Sequence, residues 1–204
     1  MDQFAGIWVM NKSLCTGVDG ILKLQGISWP LRKTINLASL RLNITVYLDD
    51  TSGAIVVDDQ QTLTGGLKGA RERRVLDWTR QNHKDDIFGS CQHQSRAAAA
   101  EEGQGFPTIE MQTKVSDDKA EKFLRGEIGE DGKASGWCKP RSSDAASGDD
   151  VWLHTFVRNS GTGWTAEQVW GFEEINGKIY HTRRVVAADS KGQYAMGRLV
   201  YLKE

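Results

Sequence analysis

Hydrophobic and polar residues alternate along much of the chain, most clearly from Leu40 to Leu48. Leucine, isoleucine and valine take every second position there, and arginine, asparagine, threonine and tyrosine lie between them. Because successive side chains of a strand point to opposite faces of a sheet, this pattern predicts a β-strand. Similar short segments recur between Gly-, Asn- and Asp-rich turns, which predicts an all-β meander, either a sandwich or a barrel.

The predicted strands number about ten or eleven. After a first strand near Phe4, they cover residues 40–48, 54–63, 70–78, 86–96, 108–115, 122–128, 151–158, 165–172, 178–187 and 193–202. Two further segments, 96–107 and 139–150, are small, polar and low in complexity, so we expect them to be mobile loops. The length of 204 residues suits a single domain, 1–204, with a substantial core.

Residues 19–38 follow helical spacing instead of alternation. Gly26 divides this segment into two short helices, Ser28 is a candidate N-cap of the second, and Pro30 falls in its first turn, where a missing N–H costs least. The pattern predicts a helical hairpin between the first and second strands.

Charge and composition narrow the class of partner. Lys and Arg (26) nearly balance Asp and Glu (27), and the longest basic block is "RERR" at 71–74, so we expect no nucleic-acid partner. No apolar run approaches the roughly 18–20 residues of a membrane helix, and no secretory signal opens the chain, so we expect a cytoplasmic protein without a membrane span. The three cysteines are far apart and lack a CxxC motif, which indicates reduced thiols.

Motifs near both ends of the chain resemble the intracellular lipid-binding proteins, the fatty-acid-binding branch of the calycin superfamily, which also includes lipocalin-like barrels. "FAGIW" is similar to the family's opening FxGxW strand, and "LKLQGISWPLRKTINLA" to its helix-turn-helix. "INGKIYHTRR" and "GRLVYLKE" resemble its last two strands. The resemblance implies a single antiparallel up-and-down β-barrel of about ten strands, with a short helix-turn-helix lid after the first strand.

The same resemblance implies a ligand cavity. A barrel of ten strands is too wide for side chains to fill, and in the family two inward arginines and a tyrosine hold a fatty-acid carboxylate. Arg158 matches the first arginine by position, and Arg198 and Tyr201 stand near the terminal pair. Arg198 and Tyr201 are three positions apart, whereas the family spaces them by two, so in a regular strand they point to opposite faces.

Aromatic residues complete the predicted ligand site. Trp29 on the lid, Tyr47 and Trp170 are candidates for the cavity wall, since aromatic walls suit a flat polycyclic ligand. Core packing explains most of the seven tryptophans equally well.

Acid–base chemistry requires a titratable group set against the substrate, and the catalytic candidates are His93, Asp77 and Glu72. His83 and Asp85 fall in a predicted turn, where solvation is the simpler expectation. A nucleophile is not indicated, because no GxSxG motif occurs, and the four histidines lack HxH and HExxH spacing. We therefore expect no metal and no cofactor.

Three functions are compatible with these patterns. The first is binding of a hydrophobic small molecule of fatty-acid, polyketide or terpenoid type inside the barrel. The alternative is a cofactor-independent isomerase or cyclase, pericyclase-like, which acts on a polyketide or terpenoid intermediate of a biosynthetic pathway in the same cavity. The third, a protein-interaction module, predicts a filled interior.

Overall fold

Ten strands form one antiparallel sheet in the computed structural model, which describes residues 1–65, 67, 69–138 and 151–204. The predicted loop at 139–150 lies outside the described residues. The strands are β1 (Gly6–Met10), β2 (Leu40–Leu48), β3 (Ile55–Leu63), β4 (Arg71–Val75), β5 (Gln81–Asp85), β6 (Gly89–Ala99), β7 (Val151–Asn159), β8 (Thr165–Ile175), β9 (Lys178–Ala188) and β10 (Tyr194–Lys203).

The sheet has up-and-down order and curls into a half-barrel. Its strands lie in the order β4-β3-β2-β1-β10-β9-β8-β7-β6-β5, so β1 pairs with β10 and the edges are β4 and β5. The chain just after β4 returns to β6, where Asp77 bridges to Arg96 and the Trp78 N–H donates to the Ser95 carbonyl over 2.9 Å. These contacts confirm the predicted all-β, up-and-down architecture of ten strands.

Two helices follow the first strand, as the sequence predicts. They are α1 (Val18–Leu24) and α2 (Trp29–Leu37), and Gly26 lies between them with a φ of 83°. Ser28 is the N-cap of α2, although its side chain makes no capping hydrogen bond. The pair packs against β10 and β9 through α1 and supplies the lid of the half-barrel.

The middle of the chain departs from the prediction. Residues 108–115 form no strand, and residues 122–128 overlap a helix, α3 (Lys119–Arg125). The predicted strand 86–96 corresponds to β6 from Gly89 onward, but its first three residues, 86–88, are the turn of a hairpin whose other strand, β5, was not predicted. The first residues of the predicted loop 96–107 form β-strand, because β6 continues to Ala99.

The chain between β6 and β7 covers the outer face of the sheet. Phe123 and Leu124 of α3 are fully buried against outward side chains such as Trp152, Val169 and Val186. Glu167 of β8 accepts N–H groups from Gln112 and Thr113 over 2.8–3.1 Å, which ties the segment to the sheet. An apolar outer surface of this kind leaves no simple alternation for a sequence pattern to detect.

The inner face closes at the end opposite the lid with an aromatic cluster, which we call the floor. Its core includes Phe4, Trp8, Trp170, Phe172 and Tyr201. His181 lies among these five rings, with centroid distances of 5.1–5.8 Å. Neither ring nitrogen of His181 has a hydrogen-bond partner in the described part of the chain. Burial, together with the charge of Arg183, lowers the pKa of His181 well below its usual value.

In the described ranges, no helix combines the length and apolar character that crossing a membrane requires.

Replacing Gly17 by alanine should displace the lid. Gly17 is the N-cap residue just before α1, with a φ of 69°, and a Cβ there would lie 2.0 Å from the Met196 carbonyl oxygen of β10. We expect Gly17→Ala to lower the thermal unfolding temperature and to raise amide hydrogen exchange in α1. Gly20→Ala is the matched control, because its Cβ would lie 3.9 Å from Ala195 and alanine favours a helix interior. Equal exchange in the two variants would contradict this role of Gly17 in seating the lid.

Replacing His181 by leucine should stabilise the protein. The change removes a buried polar group without partners, so we expect a gain of about 1–3 kcal/mol in the free energy of unfolding at neutral pH.

The same histidine should make the stability of the wild type depend on pH. The unfolded chain protonates His181 near pH 6.5 and the folded protein does not, so the free energy of unfolding falls as the pH drops below about 6.5, by up to about 1.4 kcal/mol per pH unit. Urea unfolding of wild type and His181→Leu at several pH values measures both effects. A variant that is less stable, with an unchanged pH slope, would contradict the prediction.

Candidate functional site

A cavity of about 270 Å³ lies inside the half-barrel, between the lid and the floor. Its lid end is apolar. The residues that line this end are Val18, Ile21, Leu22, Ile35, Leu40 and Leu63, joined along the walls by Phe88, Val157, Trp164, Ala166, Val185 and Leu199. The cavity is therefore suited to a hydrophobic molecule that enters beneath the helices.

Polar side chains line the other end of the same cavity. They are Gln61, Glu72, Arg74, His83, His93, Thr155, Gln168, Arg183 and Tyr201. Residues two positions apart in a strand share one face of the sheet. The inward residues of β9 and β10 are therefore Val185 and Leu199 near the lid, and Arg183 and Tyr201 near the floor. The cavity thus has one apolar end and one charged end.

Four charged side chains form the centre of the polar end, and we call them the guanidinium cluster: Asp59, Glu72, Arg74 and Arg183. Arg183 donates to Asp59 over 3.0 Å, and Arg74 donates to Glu72. Asp59 and Glu72 are opposite each other on the paired strands β3 and β4, so register brings the two ion pairs together. Except for Glu72, these side chains are almost fully buried.

Trp170 packs against both guanidinium groups. The Arg183 guanidinium carbon lies 3.5 Å from the centroid of the indole ring, and that of Arg74 lies 4.8 Å from it. The indole N–H donates to Gln168 over 2.9 Å. Cation–π attraction and this hydrogen bond hold the two guanidinium planes in defined positions.

The cluster shifts the pKa of its neighbours. Burial raises the pKa of Asp59, although Arg183 and Arg74 oppose the rise. Burial also opposes ionisation of Glu72, but the charges of Arg74 and Arg183 outweigh it and lower the pKa of Glu72. Burial raises the pKa of Tyr201. Tyr201 is therefore a neutral hydroxyl at neutral pH, and Glu72 a carboxylate.

His93 of β6 is a neutral imidazole at the cavity wall. Burial, reinforced by the charge of Arg74, lowers the pKa of His93 to about 4. Its ring centroid lies 6.3 Å from that of His83 on β5. A neutral imidazole accepts or donates one hydrogen bond without adding charge to the site.

Of the predicted catalytic residues, the structure brings two to the cavity. His93 and Glu72 line it, whereas Asp77 lies just beyond β4 and accepts hydrogen bonds from Thr79 at the surface. His83, expected in a solvated turn, lies in β5 and also lines the cavity.

Some of the predicted ligand-binding residues lie at the cavity, and others lie on the surface. Tyr201 lines the cavity and Trp170 lies buried at its floor, but Trp29 and Tyr47 are 63% and 42% exposed. Arg158 is exposed on the outer face of β7, where it lines a surface groove with Arg80 and Lys114.

Arg198 also lies on the outer face, where it donates to Glu173 over 3.0 Å. The spacing of three between Arg198 and Tyr201 does place them on opposite faces. Arg158 and Arg198 therefore do not meet in the cavity as the resemblance implied, and Arg74 and Arg183 provide its guanidinium groups.

Sequence reasoning missed Arg74, Arg183 and Asp59. The signal that could have found Arg183 is its shared face with Val185 and Ala187, two apolar positions of the same strand. Within the ranges that the structure describes, no group of three or more His, Cys, Asp or Glu side chains could hold a metal ion.

Two curated proteins are similar to this chain over most of its length. The probable pericyclase scpY of Mollisia scopiformis is 27% identical over 179 residues, which cover 88% of this chain and 78% of that protein. The pericyclase pydY of an Acremonium species is 26% identical over 194 residues, which cover 95% and 88%. Among solved structures, As-p18, an extracellular fatty acid binding protein, is 13% identical with a TM-score of 0.47, and the match covers 100% and 97%. No protein-family model matches the chain.

The pKa of His93 provides a direct test of the electrostatics of the site. We expect NMR titration of the imidazole to give a pKa of about 4. Arg74→Gln should raise that pKa, because it removes a positive charge and leaves Glu72 beside the ring. Arg73→Gln, on the exposed face of the same strand, should leave the pKa of His93 unchanged. A wild-type titration near the usual value of about 6.5 would show that His93 is not desolvated.

Proposed function

We propose that the protein is a cofactor-independent pericyclase, which closes a ring in a hydrophobic polyene of polyketide or terpenoid type held in the half-barrel cavity. The observation that carries the proposal is that one cavity joins an apolar chamber beneath the lid to the fixed hydrogen-bond donors of the guanidinium cluster. Similarity to a probable pericyclase over 88% of the chain and to a pericyclase over 95% supports it.

A pericyclic ring closure makes modest demands on protein side chains. In a cycloaddition, two new carbon–carbon σ bonds form as two π bonds are consumed, and the product is an isomer of the substrate. No proton, electron pair or leaving group is exchanged with the protein. The site has to select one folded conformation of the chain and to stabilise the electron distribution of the transition state.

The apolar chamber supplies the conformational selection. Side chains of α1, α2 and the upper strands enclose the chain, so its reacting carbons are held near each other instead of sampling extended conformers in water. Because the reacting groups already belong to one molecule, this positioning saves only the conformational freedom of the chain, which is less than the roughly 7–11 kcal/mol gained when two separate reactants are brought together. The guanidinium cluster binds the polar end of the substrate and fixes the direction in which it lies.

Binding of a hydrophobic small molecule without turnover is the second candidate. The same apolar lining and helical lid favour it, because they suit a carrier as well as an enzyme. The two functions differ in one measurable respect, which is the rate and stereochemistry of ring closure in the bound molecule.

A set of synthetic linear polyenes that cyclise slowly in buffer tests the proposal. We expect the protein to accelerate cyclisation of at least one of them about tenfold or more and to give one enantiomer in excess, measured by chiral chromatography. Ile21→Trp and Val157→Trp fill the chamber and should abolish both effects. Leu37→Ala is the matched control, since Leu37 is 84% exposed on α2. If the protein binds the polyenes tightly but they cyclise at the rate in buffer and give racemic products, the pericyclase proposal is overturned and binding without turnover is supported.

A further inference from the structure

The guanidinium cluster contains hydrogen-bonding groups that the protein does not use. Arg74 Nε and Nη1, Arg183 Nε and Asp59 Oδ1 have no partner within the part of the chain that the structure describes. The arginines are each 4% exposed and Asp59 is 0% exposed. Leaving a buried donor unsatisfied costs about 1–3 kcal/mol, and more for a charged group.

These unused donors belong to side chains that line the cavity. Arg74 and Arg183 both line it, and Trp170 packs against both guanidinium groups, so the positions of their free N–H groups are fixed. Groups that are buried, unpaired and held in place beside a ligand cavity are arranged for an acceptor on the ligand. The acceptor is an oxygen or nitrogen atom at the polar end of that molecule.

The charges around these donors disfavour a carboxylate as that acceptor. Arg74 is already paired with Glu72, and Arg183 with Asp59. The four charges of the cluster therefore sum to zero, and for a ligand carboxylate the attraction of the two guanidinium groups is offset by repulsion from two carboxylates, about 1–4 kcal/mol for each like-charged pair 4 Å apart. An uncharged carbonyl oxygen accepts the same N–H groups without adding charge.

We propose, on the basis of the pericyclase function above, that the substrate ends in an uncharged carbonyl group conjugated with the reacting alkene, and that its oxygen accepts hydrogen bonds from Arg74 and Arg183. These hydrogen bonds withdraw electron density from the alkene, which accelerates its addition to an electron-rich diene. Glu72 and Asp59 are positioning residues that orient the guanidinium groups and exclude carboxylates.

Binding of two matched fluorescent dyes tests the inference. Prodan has a ketone on a dimethylaminonaphthalene ring, and the corresponding dimethylaminonaphthoate has a carboxylate at the same position. We expect wild type to bind prodan about tenfold more tightly than the naphthoate, and hydrogen bonds to its ketone should place the emission of bound prodan to the red of its emission in an apolar solvent. Arg74→Met should remove most of that shift, and Arg73→Met, on the exposed face of β4, should leave it unchanged.

Glu72→Gln provides the independent arm of the test. Glu72 is partly exposed, so glutamine should not disturb folding, and removal of its charge should raise the affinity for the naphthoate about tenfold relative to the affinity for prodan. Naphthoate binding that equals or exceeds prodan binding in wild type, or that Glu72→Gln does not strengthen relative to prodan binding, would overturn the inference. Either result leaves the pericyclase function intact, because cyclisation is measured separately. Failure of both dyes to bind, or binding that Ile21→Trp does not affect, would overturn the ligand cavity itself.

Discussion

Two positively charged guanidinium groups inside the half-barrel are the constraint on which the site depends. Burying a charge costs several kcal/mol unless it is paired and hydrogen-bonded, and Arg74 and Arg183 meet that requirement only in part. Glu72, Asp59 and the face of Trp170 neutralise and hold them, but donors remain unused among the described residues. The structure therefore keeps the guanidinium cluster at a cost in stability, which is the pattern expected where a ligand completes the hydrogen bonding.

Because side chains alternate along each strand, polar residues of the sheet lie on two faces, the inner face toward the cavity and the outer face toward the covering chain. Arg183 points into the cavity, and its neighbour Arg184 points outward, where it bonds to Glu173 and to carbonyl groups of the covering segment. Glu167, on the outer face of β8, bonds to the buried His154 and to two backbone N–H groups of that segment. The outer networks fix the covering chain, and the inner network faces the ligand.

The sequence predicted correctly those strands and helices that have one face in the core and the other in water. β2 has the predicted bounds, because its inner face is apolar and its outer face meets water, and Gly26 correctly divides the lid helices. Prediction failed where chain covers the outer face, since Ala120, Phe123 and Leu124 of α3 pack against the sheet in place of another strand. The arginines of the guanidinium cluster were missed because charge in a strand usually indicates solvent, and for Arg74 only the register of β4 shows that the side chain faces inward.

A crystal structure with prodan bound tests most directly the claim that the fixed guanidinium cluster orients a hydrophobic substrate by its oxygen. We expect the naphthalene ring to lie in the apolar chamber beneath α1 and the ketone oxygen to lie about 3 Å from a nitrogen of Arg74 or Arg183. A dye bound with its ketone toward the lid, its dimethylamino group on the floor and the guanidinium donors still unpaired would contradict that claim.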